Sequence, residues 1–359
     1  MGHRRLAMAG AGAVIIVAAG LILSPGPSAG QAPLSEPYTG APEGWETPRT
    51  PWGDPDLQGI WDGGSIMPLE RPEEYADREF LTEEEAAALE ADSIANPGRD
   101  ARLDDALEDL AGAYNDVYTH RRDNYARTRR TSRIIDPPNG RLPALTPEGE
   151  ARREAARERA RRQVEVTEAG ASVSFGVDAA ISDTIRRTGA FDNPEDRHRD
   201  RCMGISIPAI SPMRIVQSPG RVSIYYEYAI GGGAHRSIPL DDRPHLPPHI
   251  REKLGDSIGR WEGDTLVVDT TNFSREASLP AGASENLHLI ERFTPAADDL
   301  LLYHMTVDDP TVFTSQWTQE VPLEELSNKE SLIFESACHE GNHYAMLGIL
   351  AGARARDDR

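Results

Sequence analysis

Arg260-Trp261-Glu262-Gly263-Asp264-Thr265-Leu266-Val267-Val268-Asp269-Thr270-Thr271-Asn272-Phe273 reads as two short strands joined at a Glu262-Gly263-Asp264 turn. β-Branched and aromatic residues flank a glycine-centred turn signal, which is the local pattern of a hairpin. Outward from it the same pattern repeats. Met213 to Gln217, Arg221 to Ala229, His235 to Leu240, Ser257 to Glu262, Thr265 to Thr270, Asn286 to Thr294, Leu300 to Val307, Trp317 to Leu323 and Ser331 to Ala337 are short apolar or alternating runs. Turn signals separate them at Ser218-Pro219-Gly220, Gly231-Gly232-Gly233 and Ala297-Asp298-Asp299. Most gaps are short enough for sequential neighbours to pair as an antiparallel meander. Eight or nine such strands suffice to close a barrel. The pattern therefore predicts a mainly β fold, an antiparallel up-and-down, lipocalin-like barrel over residues 201–353, with a β-sandwich as the alternative.

The preceding residues follow other rules. His3, Arg4 and Arg5, an apolar run from Leu6 to Leu23, and small residues to Ala32 have the order of a secretory signal peptide over residues 1–32. The run is also long enough to remain as a single membrane anchor if uncleaved. Residues 33–55, rich in Pro and Gly, read as an extended arm anchored by Trp45 and Trp52, and residues 56–200 as a helical and irregular region. Within it Asp56 to Trp61 looks like a strand entering the fold. Thr82 and Glu85 have the spacing of a capping box, and Thr146-Pro147 opens a second, largely polar helix. Residues 354–359 form a polar tail.

Two segments resemble an uncharacterised family of exported bacterial proteins: Gly259 to Thr270, Gly-Arg-Trp-Glu-Gly-Asp-Thr-Leu-Val-Val-Asp-Thr, and Cys338-His339-Glu340-Gly341-Asn342. The resemblance extends from about Thr50 to Ala353 and implies export, but no activity. A periplasmic or secreted location fits the N-terminus. In an oxidising compartment the isolated cysteines, Cys202 and Cys338, most simply form one disulfide; free thiols or metal ligands are the alternative. A formal charge of −21 argues against nucleic acid as a partner, and leaves membrane contact only to an uncleaved N-terminal segment. The acids between Pro68 and Asp116 and the arginines between Arg121 and Arg162 are opposite blocks that can pair with each other.

His339-Glu340-Gly341-Asn342-His343 has the spacing of a zinc-peptidase helix, but Gly341 and Asn342 interrupt it and the usual downstream third ligand of such peptidases is absent. A turn after the last strand is the simpler reading, and no metal or cofactor is expected. No nucleophile elbow, phosphate-binding loop or dinucleotide fingerprint is present. The remaining candidates are His245, held in the stiff Arg243-Pro244-His245-Leu246-Pro247-Pro248-His249 loop, and His288 and Arg292, which alternate with Leu287, Leu289, Glu291 and Phe293. If the polar face points inward, His288 and Arg292 converge with His245 on a cavity, with Asp269 or Glu340 beside Arg292. If it points outward, they are solvated. The leading expectation is a barrel enclosing a small, largely apolar molecule, with His245, His288 or His339 as acid–base groups oriented by Glu340 or Asp269. A metal-dependent hydrolase using His339, Glu340 and His343, and a non-catalytic envelope protein, are the alternatives. The oligomeric state is left open.

Overall fold

In the computed structural model of the chain, residues 43–63, 67–95, 127–168, 212–226, 234–274 and 282–326 are described. Cys202, the glycines 231–233, the run 331–337, Cys338, His339, Glu340, His343 and the N-terminal apolar run lie outside them.

Ten strands form one sheet: β1 (Gly59–Asp62), β2 (Ile134–Asp136), β3 (Met213–Ser218), β4 (Arg221–Tyr226), β5 (Ala234–Pro239), β6 (Asp256–Glu262), β7 (Thr265–Thr271), β8 (His288–Ala297), β9 (Leu300–Asp308) and β10 (Trp317–Glu325). Nine of them, in the order β5-β4-β3-β1-β10-β9-β8-β7-β6, wrap into a nearly closed barrel, while β2 adds to β10 outside that path. The mainly antiparallel barrel expected from the turn signals is thus the architecture. Pro219-Gly220, Gly263-Asp264 and Asp298-Asp299 turn the β3–β4, β6–β7 and β8–β9 hairpins, with Gly220 and Gly263 at positive φ. The meander is interrupted by β1, which comes from far upstream and sits between β3 and β10.

Parity governs the closure. Eight successive ladders, all antiparallel, separate β5 from β6, so these two end strands run in the same direction. They lie side by side, yet no ladder joins them. Two parallel neighbours that are consecutive in sequence require a crossover of a dozen or more residues, because a hairpin cannot connect them. Residues 240–255, which contain the Pro-rich loop, are that crossover. At one place the seam is tight: a Cβ on Gly259 would lie 2.6 Å from Leu240 Cδ2 and 2.9 Å from Ile238 Cγ2, so only glycine admits this approach.

Strand alternation fills the barrel with side chains. Leu57, Trp61, Met213, Ile215, Val222, Ile224, Leu266, Val268, Leu289, Phe293, Tyr303, Met305, Trp317 and Val321 belong to one buried cluster. A barrel of about eight strands is just wide enough for its inward side chains to fill it, and this nine-stranded one, with several aromatic residues inside, follows that rule.

Among the described residues two α-helices lie outside the barrel. α1 (Glu83–Ala95) opens with the reciprocal capping box read from Thr82 and Glu85: the Thr82 N–H donates to Glu85 Oε2 at 2.9 Å and the Glu85 N–H to Thr82 Oγ1 at 3.2 Å. α2 (Pro147–Glu168) starts with proline at its first position, and Thr146 Oγ1 accepts from the Gly149 N–H at 3.0 Å. The expected pairing between the acidic and basic blocks occurs at Arg130–Glu79. Other contacts of the basic block reach the barrel instead: Arg130 meets Glu320 at 2.5 Å, and Arg127 meets Asp299 at 2.5 Å and Glu324 at 2.9 Å. The arm straps the hairpin tips, with Trp45 Nε1 donating to Asp298 and both Thr47 and Arg49 to Asp264.

Candidate functional site

Three features are candidates: a polar array on the outer wall, an ion pair inside the barrel, and a cleft on the seam.

The outer array contains three of the residues singled out in the sequence. Asp269 Oδ1 lies 2.9 Å from His245 Nε2 and 2.8 Å from His288 Nε2. The other ring nitrogen of His245 lies 3.0 Å from Asp256 Oδ2, and Asp256 also accepts from Arg243 at 2.6 and 3.1 Å and from the Leu246 N–H at 2.8 Å. The result is a continuous chain, Asp256–His245–Asp269–His288, in which the proline-stiffened crossover is tied to β6, β7 and β8. Burial works to raise the Asp256 pKa, but hydrogen bonds from Arg243, Leu246 and His245 outweigh it and hold the carboxyl down at about 2. Asp269 is likewise held below its usual range against burial, by His288 and His245. The hydrogen bond to Asp269 raises the His288 pKa despite partial burial, with Asp308 adding attraction.

Of the two orientations left open for His288 and Arg292, the structure has the outward one. On β8 the buried set is Leu289, Glu291, Phe293 and Pro295, and His288, Ile290, Arg292 and Thr294 form the outer face. The physical reason is area: Leu287, Leu289 and Phe293 carry more apolar surface than Ile290 alone, and it is they that fill the interior. His288 and Arg292 are 37 and 40 % exposed. Among the described residues the acidic partner of Arg292 is Glu262, at 2.8 Å, and not Asp269; Glu340 lies outside them. His304 also faces outward and meets Glu320 at 2.9 Å.

The interior holds a charge pair that the sequence reading passed over. Arg236, from β5, makes a two-pronged contact with Glu291 of β8, Nη1 to Oε1 at 3.0 Å and Nη2 to Oε2 at 2.6 Å, with both side chains essentially without solvent exposure. Nη1 also donates to Tyr226 Oη, and Nη2 to Ser257 Oγ and Thr270 Oγ1, each at 3.0 Å. The Tyr303 hydroxyl donates to Glu291 Oε1 at 2.9 Å. Burial opposes the charge on Arg236, and Glu291 more than compensates, so its pKa stands above the ordinary arginine value. Burial pushes Tyr226 up to about 12 and Tyr303 well above its normal value. One arginine thereby links β5 to β6, β7 and β8 across a junction that has no ladder. The signal was present in the sequence: Arg236 alternates with Ala234 and Ile238, and Glu291 with Leu289 and Phe293, so each is a charge on an apolar face that must find a partner.

Near the start of β6 the seam opens into a cleft of ≈ 440 Å³ lined by His235, Arg236, Ser237, Asp256 and Ser257, with Glu252 to Gly255 of the crossover. No family model, curated protein or solved structure matches this chain. The site must therefore be read from its own chemistry. Among the described residues no group of three or more His, Cys, Asp or Glu is placed to hold a metal ion. His339, Glu340 and His343 lie outside the described residues. Asp256 connects the features, since it lines the cleft and carries His245.

Proposed function

We propose that this is an exported barrel protein that binds a small molecule at the seam between β5 and β6. The cleft carries the reading: it lies where the barrel wall lacks a ladder, and Arg236 at its base leads into the interior. Its volume is within the range of small-molecule sites, about 300–1,000 Å³. Because the barrel is already filled, the ligand sits in the wall rather than at the centre. Because polar and apolar surface line it in similar measure, the ligand carries hydrogen-bonding groups rather than being wholly apolar. The order of charges, apolar residues and small residues at the N-terminus supports export to the periplasm or beyond.

His245, Asp269 and His288 are assigned to clasping the crossover that borders this cleft. Both ring nitrogens of His245 are already engaged by carboxylates, which suits a clasp. Screening a chemically diverse small-molecule library by thermal shift tests the proposal, with Ser237→Trp as the variant that fills the cleft mouth. Stabilisation of the wild type that is lost in a folded Ser237→Trp variant is the expected result. Hits that stabilise both forms equally, or an absence of hits, would refute it.

A further inference from the structure

We infer that the seam cleft takes an extended peptide, bound as a short strand between β5 and β6; this rests on the binding reading above and names the ligand class. The first observation is the state of the strand edges. β5 spends one edge on β4 and β6 spends one on β7, while among the described residues no backbone hydrogen bond joins β5 to β6. Each strand therefore turns a row of backbone donors and acceptors toward the cleft, and such rows are templates for another chain. The second observation is parity. Since β5 and β6 are parallel, a chain running antiparallel to one runs antiparallel to both. It converts an odd, imperfectly closed barrel into an even one in which every neighbour alternates, and antiparallel pairing is the slightly more stable kind.

The lining sets the size of the ligand. His235 to Ser237 on one side and Gly255 to Ser257 on the other present three residues each, a length of about 10 Å at roughly 3.3 Å per residue. Beyond them the contact of Ile238 and Leu240 with Gly259 closes the seam, so a longer strand cannot be accommodated along it. The third observation is an unused donor: Arg236 lines the cleft, and among the described residues its buried Nε has no hydrogen-bond partner. A peptide carbonyl is an acceptor of suitable kind for it once the seam widens around a ligand.

The test is hydrogen–deuterium exchange of the full chain with and without a library of acetylated and amidated pentapeptides. The same library methylated on alternate peptide nitrogens is the control. The expected result is slowed exchange at residues 235–237 and 255–257 with the plain library, and affinity about tenfold weaker after methylation, the loss of roughly one to two net hydrogen bonds. Seam amides already protected in the free protein like those of β7 and β8, no protection by the peptides, or equal binding of the methylated library would each overturn the inference. If peptides fail while other small molecules bind and are lost in Ser237→Trp, the binding function stands and only the ligand class falls. If nothing binds, both fall.

Discussion

Arg236→Leu leaves Glu291 at full burial with the Tyr303 hydroxyl as its remaining donor among the described residues. Two routes bound the cost. Keeping the carboxylate charged without its partner costs about 3–5 kcal/mol, the usual result of breaking one side of a buried pair. Neutralising it by proton uptake at pH 7, from an ordinary glutamate value of about 4.3, costs roughly 1.4 kcal/mol for each of about 2.7 pH units, or about 3.7 kcal/mol. The estimates agree, so a loss of about 4 kcal/mol at pH 7 is expected. The sign of its pH dependence follows. A glutamate that binds its proton in the folded variant and releases it on unfolding makes stability fall as pH rises above about 4.3. The deficit relative to wild type should therefore shrink by about 2.7 kcal/mol between pH 7 and pH 5. Urea unfolding followed by tryptophan fluorescence at both pH values measures this, since Trp61 and Trp317 are buried in the barrel. Adding Glu291→Gln removes the charge and keeps an acceptor for Tyr303, so the double variant should regain most of the loss at pH 7. A deficit that is equal at pH 5 and 7, or a double variant no more stable than the single one, would refute the ion-pair account of how the seam is held.

Four further outcomes are expected. His288→Gln should lose stability relative to wild type below pH 6.5 and less as pH rises through the elevated His288 value, by under about 1 kcal/mol because the Asp269 contact is partly exposed; Asp308 and His245 also face this region, and urea midpoints from pH 5.5 to 8.5 will show whether the gap narrows. Asp256→Asn should abolish the part of the acid sensitivity that develops from about pH 4 down to about 2, and an unchanged acid-unfolding midpoint would contradict the clasp. Gly259→Ala should cost about 1–3 kcal/mol by overpacking against Leu240 and Ile238, with Leu240→Ala restoring part of it; a neutral Gly259→Ala would mean that the seam is looser than described. Unreduced, denatured protein should show no titratable thiol if Cys202 and Cys338 pair, and two thiols would dismiss the disulfide.

The hairpins were legible because their turns are local: Pro219-Gly220, Gly263-Asp264 and Asp298-Asp299 mark where the chain reverses whatever surrounds it. The capping box at Thr82 and Glu85 was legible for the same reason. Which face of β8 turns inward was harder, since alternation gives two faces and not their direction. The presence of Glu291 on the apolar face made both faces of that strand look mixed. That His245, Asp269 and His288 meet was within reach, because proline stiffens the loop and strands order the others, but their position on the outer wall depends on a crossover whose need arises only from the strand count. The insertion of β1 between β3 and β10 had no local signal at all. β2 was missed because three residues are too few to show a period.

The position of β1 also sets a timetable for folding. Its partners lie at Met213–Ser218 and Trp317–Glu325, so the strand made first waits for one of the last before the wall on either side of it is complete. Pairings so distant in sequence carry a large loop-closure cost ahead of any reward, which places such folds toward the slow end of single-domain rates. A chain emerging from its N-terminus can assemble the β6–β7–β8–β9 meander early, but Trp61 remains without its buried surroundings until β10 has been delivered. Stopping synthesis before residue 317 would therefore leave an open sheet with two reactive edges, a target for proteases and for its own copies rather than a smaller version of the barrel.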